Sequence, residues 1–268
     1  MKWSACVHSW NEANALKRLV LSSLPAIDTI SEWVILDHRS EDHTPAVLDE
    51  IEEILGGYGV PLVRLREARD LSARFTFANL RNQPLDAATS PLALILDADF
   101  VLGSAFRDAA LKAALHMSTR RSGYLGARFR VPVVWDELTT DANGVIASHG
   151  RVWWHSRRPR FLHWPSLTYE QVGKWEKLKR VSKTRKAWLN LPNDGSLMVS
   201  VNVKPPERLE YRRTMTLFME DALAGKVNGS WLEAYERGGL RKMPPYPFDD
   251  AADLRGVRLH APGLRLGA

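Results

Sequence analysis

The sequence predicts an α/β protein: a mostly parallel sheet flanked by helices, followed by a mixed β half and C-terminal helices. Three observations predict it. Apolar runs alternate with amphipathic stretches over the first ~115 residues, the order expected of a parallel sheet with helices on its faces. Each apolar run is short and ends in polar residues, as strands buried on both faces do. With 268 residues, 45% apolar and 25% charged, the chain has a globular balance and the length for one large domain or one domain with an appendage.

The elements follow in order. "WSACVH", residues 3–8, is a short buried strand. In "NEANALKRLVLSSL", Leu16, Leu19, Val20 and Leu24 recur at helical spacing, and Pro25 stands just beyond. Trp33 to Leu36 form a second strand that runs into the polar turn "DHRSEDHT". "PAVLDEIEEILGGYG" is a helix, with Pro45 early and a glycine pair as its stop. "VPLVRL" is a third strand, "FTFANLRNQPLDAA" is helical in part, "PLALILDADF" is a fourth strand and "GSAFRDAALKAALHM" is another helix. Ligands of open α/β sheets bind beyond the carboxyl ends of the strands, so "HSWNE", "LDHRSED" and "LDADF" should share one rim.

The fourth strand closes on Asp97 and Asp99, one residue apart. Residues i and i+2 of a strand point to the same side. Two close carboxylates repel unless a proton or cation lies between them. Mg²⁺ or Mn²⁺ meets that need, taking oxygen ligands and bridging to a diphosphate. The plainer alternative is that one aspartate caps the next helix and the other is solvated.

In the second half, "YLGARFRVPVVWDE" alternates as a strand, with Arg128 and Arg130 on one face. The turn signal "TTDANG" precedes "GVIASHGRVWWHSRRPRFLHW", which supplies a hairpin partner. "KWEKLKRVSKTRKAW" sets seven basic residues against one glutamate. Such a run is a solvated face or, interleaved with tryptophans, a surface for a phosphate backbone. Arg151, Arg158, Lys177, Arg180 and Lys183 are accordingly candidates for contact with an anionic partner. Leu209, Met215, Leu217, Phe218 and Leu223 mark a long helix with Gly225 near its stop, and "SWLEAYERGGL" a shorter one. The Pro- and Gly-rich tail reads as a loop. This organisation divides the chain into residues 1–203 (halves 1–115 and 116–203) and a helical extension with its tail, 204–268.

Composition narrows the function classes. Cys6 is the single cysteine, which excludes an internal disulfide and a cysteine zinc cluster and fits a reducing cytoplasm. No apolar run approaches the roughly 20 residues of a membrane helix, and the N-terminus turns polar too early for a signal peptide. The net charge of +6 favours anionic partners.

"VHSWNEANAL", "EWVILDHRSEDHTPAVL" and "FTFANLRNQPLDAATSPLALILDADFVL" resemble, in order and spacing, the nucleotide-binding half of family 2 glycosyltransferases of the A-type (GT-A) fold. The resemblance covers roughly residues 3–115 and is nearest the branch with a D-A-D-E-like motif and a helical C-terminal extension. His38 and Arg39 depart from the usual small residues, two residues separate Ala78 from Arg81, and Phe100 replaces a common Glu. The resemblance implies a nucleoside-diphosphate sugar as donor and Mn²⁺ or Mg²⁺ as cofactor. It places Asn11, Glu12, Asp37 and Asp42, with Thr44 beside them, near the nucleotide. Arg81 and Asn82 go to the diphosphate or ribose, Asp97 to ribose or sugar hydroxyls, and Asp99 to the metal, with Asn202 where a further metal ligand often stands. It also implies inversion by a base in the acceptor half, for which Glu170 ranks first, Asp136 and Glu137 are rivals, and Asp221 comes last. The acceptor is expected to be anionic, with DNA carrying a hydroxylated base, as in viral DNA modification within a host cytoplasm, as the sharper form. A saccharide, lipid-linked or protein acceptor is the alternative. Outside the resemblance stand a nucleotidyltransferase, which would need a glycine-rich loop that "HSWNEANA" lacks, and a nucleic-acid-binding protein without catalysis.

Overall fold

The computed structural model describes residues 1–118, 123–129, 131–134, 138–140, 146–149, 152–156, 159–172, 175–181, 187–191, 198–201 and 206–236. Its first half runs β1 (Trp3–Ser9), α1 (Ala13–Ser23), a 3₁₀ turn (Leu24–Thr29), β2 (Ile30–His38), α2 (Thr44–Gly57), β3 (Leu62–Glu67), α3 (Phe77–Ala87), β4 (Leu92–Asp97), β5 (Phe100–Leu102) and α4 (Phe106–Ser118). The second half continues with β6 (Tyr124–Phe129), β7 (Val131–Val134), β8 (Leu138–Thr140), β9 (Ile146–His149), β10 (Val152–Ser156), β11 (Pro159–His163), β12 (Leu167–Val172), β13 (Trp175–Arg180), β14 (Ala187–Leu191) and β15 (Met198–Val201). Helices α5 (Pro206–Leu223) and α6 (Trp231–Glu236) follow.

The expected α/β architecture is present. A seven-stranded sheet has the order β14-β6-β11-β4-β1-β2-β3, in which β11 alone runs antiparallel to its neighbours. The central strands β1, β2 and β4 are apolar on both faces because helices cover both. One face buries Trp3, Leu16, Leu19, Trp33, Ile35, Ile51, Leu94 and Leu96 with α1, α2 and α4. The other buries Cys6, Val34, Leu85, Ala93 and Ile95 beneath α3 and the β12–β13 hairpin. Each fully buried aliphatic side chain contributes roughly 1.5–3 kcal/mol.

The second half differs in detail from its sequence pattern. Residues 124–137 are not one strand: β6 joins the large sheet, whereas β7 joins a second sheet of order β10-β7-β15-β5. The hairpin-type partnership holds, since β11 pairs antiparallel with β6 and β10 with β7. The first part of the basic run is β13, paired antiparallel with β12. The tail beyond Glu236 lies outside the described residues.

The C-terminal helices pack on the sheet. Met215, Phe218, Met219, Ala222 and Trp231 share a cluster with Leu36, Leu71, Phe75 and Leu80. Trp231 Nε1 donates to Tyr211 Oη at 2.8 Å, and the backbone N–H groups of Trp231 and Leu232 donate to Leu71 O and Asp70 Oδ2.

Helix α3 carries the residues that matter most below, and two anchors fix it. Its start is closed by Asn79 Oδ1, which accepts the Thr76 N–H at 2.8 Å. Its solvent side is tied to the end of β3 by Glu67, which accepts from Gln83 Nε2 at 2.7 Å and from Arg69 through both carboxylate oxygens. The hydrogen bonds from Arg69 hold Glu67 at about 2, well below the usual carboxylate range. A depressed folded-state value gives stability that is present above the unfolded pKa and is lost as pH falls through the folded one. Thermal unfolding followed from pH 5 to about 2 should therefore show a fall in Tm that is shallower in Glu67→Gln than in the wild type.

Candidate active site at the strand-end rim

The carboxyl ends of β2, β1 and β4 lie side by side: Ser9 is registered with Asp37, and His8 with Asp97. The loops beyond β1 and β2 are knotted together by polar side chains. Asn11, at φ 51°, accepts the Glu41 N–H at 2.7 Å and the Asp42 N–H at 3.3 Å through Oδ1, while its own N–H donates to Ser40 Oγ at 2.9 Å. Asp37, 5% exposed, accepts the Ser40 N–H at 3.1 Å. Asp42 takes the Thr44 N–H on Oδ1 and the Ala13 N–H on Oδ2, so one carboxylate serves the first turns of both α2 and α1. Asp42, and not Thr44, is thus the acceptor at the start of α2. Glu12 is the cap residue of α1, its carbonyl accepting the Leu16 N–H.

Across β1, the other face of the rim holds a buried charge cluster. Arg81 projects from α3, its side chain 9% exposed, and its Nη2 lies 2.5 Å from Asp97 Oδ1 at the end of β4. The same nitrogen lies 3.6 Å from Glu176 Oε1 on β13, whose side chain is 12% exposed. Burial opposes the charge on Arg81, but Asp97 and Glu176 hold its pKa above the ordinary arginine value. Its Nη1 is buried and has no hydrogen-bond acceptor among the described residues. His8 stands beside this group; burial first, then the positive charge of Arg81, pushes it down to about 3, so its imidazole is neutral at physiological pH. Asp99, 9% exposed, sits on the two-residue turn between β4 and β5.

Asn82, the neighbour of Arg81, is bound to the hairpin. Its Oδ1 accepts the Tyr169 N–H at 2.8 Å and its Nδ2 donates to Tyr169 O at 2.9 Å. The amide clamps β12 onto α3. Gln171 Oε1 adds a second tie, accepting the Ala78 N–H at 3.3 Å.

The strand period sorts the hairpin's acids. Tyr169 and Gln171 lie on the α3 side, and Glu176 is registered with Gln171. Glu170 lies on the opposite side, registered with Lys177 and ion-paired to Lys179 Nζ at 3.0 Å, with its side chain 43% exposed. The structure therefore brings Glu176, and not Glu170, to Arg81 and Asp97. Sequence reading missed Glu176 because its only local context is a basic, solvated-looking strand. Lys177 and Arg180 are exposed on β13. Asp221 on α5, ranked last as base, pairs with Lys226, just beyond the end of that helix, at 3.1 Å. Asp136, Glu137, Arg151, Arg158, Lys183 and Asn202 lie outside the described residues.

The donor set at the β4–β5 turn suits a hard divalent cation that brings part of its own shell. Asp97 and Asp99 are oxygen donors two residues apart, and among the described residues no three His, Cys, Asp or Glu side chains converge on one point. Water and substrate phosphate would complete the coordination, as is usual for Mg²⁺. Among the described residues no helix is long and apolar enough to cross a membrane.

Comparison with known proteins gives a family. The family model described as "Glycosyl transferase family 2" matches residues 4–179, more than half of the chain. No curated protein matches the chain in sequence. Among solved structures, the chain is similar to TarS residues 1–349 from S. aureus, with 18% identity over 51% of this chain and 36% of that one and a TM-score of 0.36. It is similar to the mannosyltransferase PcManGT from Pyrobaculum calidifontis, solved with GDP-Man and Mn²⁺, with 17% identity over 85% and 65% of the two chains and a TM-score of 0.47. It is also similar to glucosyl-3-phosphoglycerate synthase from Mycobacterium tuberculosis, solved with Mn²⁺, UDP and glucosyl-3-phosphoglycerate, with 14% identity over 48% and 44% and a TM-score of 0.34. The chain thus spans less than two thirds of the length of each.

The clamp is directly testable. Asn82→Ala removes both hydrogen bonds to the Tyr169 backbone and should cost about 1–3 kcal/mol in urea unfolding. Hydrogen exchange at the Tyr169 amide should accelerate in that variant while exchange in β1 keeps the wild-type rate relative to global unfolding.

Proposed function

The chain belongs to glycosyl transferase family 2, and on that premise we propose that it moves a sugar from a nucleoside-diphosphate sugar to an acceptor hydroxyl at the Asp97–Asp99 rim, with Mn²⁺ or Mg²⁺. The observation that carries this reading is Arg81: a nine-tenths buried guanidinium locked to the end of β4, with a spare Nη1 donor. A buried donor left without an acceptor is costly, and a phosphate oxygen is the ligand that best satisfies a guanidinium.

Asp99 and Asp97 would hold the cation, whose chemistry is to neutralise charge that develops on the departing diphosphate. Arg81 would bind the same oxygens, a contact that strengthens as the glycosidic bond breaks and negative charge grows. Asp37 stands at the neighbouring strand end for the ribose or base, and Asn11 and Asp42 shape the loops around it. Neutral His8 supports Arg81 without adding a second positive charge. Glu67, Asn82 and the hairpin keep the guanidinium from leaving the rim.

Inversion at the anomeric carbon needs a base on the acceptor side. Glu170 is the candidate among the described residues; it must release Lys179 to act, and Asp136 is its rival. The finer reading of the acceptor is a polyanion, with DNA carrying a hydroxylated base as its sharpest form. The exposed Lys177, Lys179 and Arg180 on β13 support it, as does the net charge of +6.

Two outcomes are expected. Binding of labelled nucleoside diphosphates should require Mn²⁺, vanish with EDTA, and be lost in Asp99→Asn while the fold, followed by circular dichroism, stays intact; Mn²⁺-independent binding, or wild-type binding by Asp99→Asn, sinks the metal assignment. If the acceptor is DNA, its affinity should fall steeply between about 50 and 200 mM salt; a flat response argues for an uncharged acceptor.

A further inference from the structure

We propose that Glu176 is a positioning residue for this transfer, acting through Arg81; the inference rests on the donor-site reading above. Arg81 Nη2 has two carboxylates in reach, Asp97 Oδ1 at 2.5 Å and Glu176 Oε1 at 3.6 Å. The nearer one closes β4, next to the turn that would receive the cation. When Asp97 turns to the donor and its cation, Arg81 would be left buried without its main counter-charge, a costly state for a guanidinium. Glu176 is the carboxylate that then keeps the charge compensated and the guanidinium on the rim, with its remaining N–H groups aimed at phosphate.

Two further features favour this over an incidental contact. Glu176 lies on the α3 side of its hairpin, 12% exposed, whereas Glu170 on the same hairpin is 43% exposed and faces Lys179. The hairpin is also held in place beside Arg81. Asn82, the next residue of α3, grips the Tyr169 backbone through two hydrogen bonds of 2.8 and 2.9 Å. Glu176 is therefore presented to Arg81 by a clamped strand and not by a wandering loop. Asp97 and Glu176 thus play unequal parts, one exchanging its partner during turnover and the other keeping it.

The test is a double-mutant cycle on the full chain, read as the affinity for uridine and guanosine diphosphates in saturating Mn²⁺ by titration calorimetry. Glu176→Gln should weaken binding of the preferred diphosphate about tenfold, whereas the same change in an Arg81→Met background should do nothing further. Glu176→Asp, which keeps the charge one methylene short, should fall between wild type and Glu176→Gln, and Glu53→Gln, at an exposed position of α2, should bind as wild type. Binding of the parent nucleoside without phosphates should be unaffected throughout. Additive losses in the cycle, or a Glu176→Asp variant no better than Glu176→Gln, overturn the positioning role while leaving the donor site standing. If Glu176→Gln does not fold, the Glu176→Asp variant alone decides: wild-type diphosphate affinity in it overturns the proposal, and a loss confined to the diphosphate supports it. Absence of Mn²⁺-dependent diphosphate binding by the wild type removes both readings together.

Discussion

The structure turns on one buried positive charge. Arg81 enters a region 9% open to solvent, and a guanidinium does so only where anions meet it. Asp97 supplies the first from the end of β4, and Glu176 the second from β13, residues 16 and 95 positions away along the chain. This requirement joins three parts of the molecule that are otherwise separate: the sheet's carboxyl rim, helix α3 and the hairpin. Around Arg81 and the β4–β5 turn, the described residues set the carboxylates of Asp97, Asp99 and Glu176 against this one guanidinium. A divalent metal matches that imbalance.

The loops on the other face of the rim follow a different rule. Asn11 and Arg39 are the non-glycine residues with positive φ, at 51° and 57°, among the described residues. Asparagine tolerates that region better than most because its short amide bonds locally. Here the amide of Asn11 reaches across to the β2 loop instead, and Asp42 reaches back to α1. Each loop is thus held by the other, which makes a firm floor out of segments that would be mobile alone. The polar residues that resemble a nucleotide-binding set are in large part the scaffold of that floor.

Much of the fold was legible in the residues, for a physical reason. Strands buried on both faces, such as Leu92–Asp97, must be apolar throughout, and helices such as Thr44–Gly57 must show one apolar stripe. Asp97 and Asp99 were legible because a strand buried on both faces admits carboxylates only where it leaves the core. The hairpin was not. In Trp175–Arg180, Glu176 and Lys177 alternate as any solvated strand would, and a register shifted by one residue would exchange its faces. The Asn82 clamp on Tyr169, 87 positions away in sequence, holds β12 against α3, and the pairing of Gln171 with Glu176 carries that side to β13, which no local pattern reports. Motif order singles out Glu170 and is silent on Glu176, because order carries no information about faces.

The C-terminal helices extend the same argument to the rim itself. Trp10 directly follows β1 and precedes Asn11, so its position sets the start of the floor. Its ring centroid is 5.0 Å from that of Tyr211 on α5, and Tyr211 accepts the indole N–H of Trp231 on α6. Phe218 packs edge-on against the same indole at 5.5 Å. Aromatic contacts of this kind add about 0.5–1.5 kcal/mol each beyond the area they bury. Loosening α5 and α6 would therefore be felt first at Trp10 and Asn11. The C-terminal helices thus reach, through Tyr211 and Trp231, the residue that opens the loop after β1.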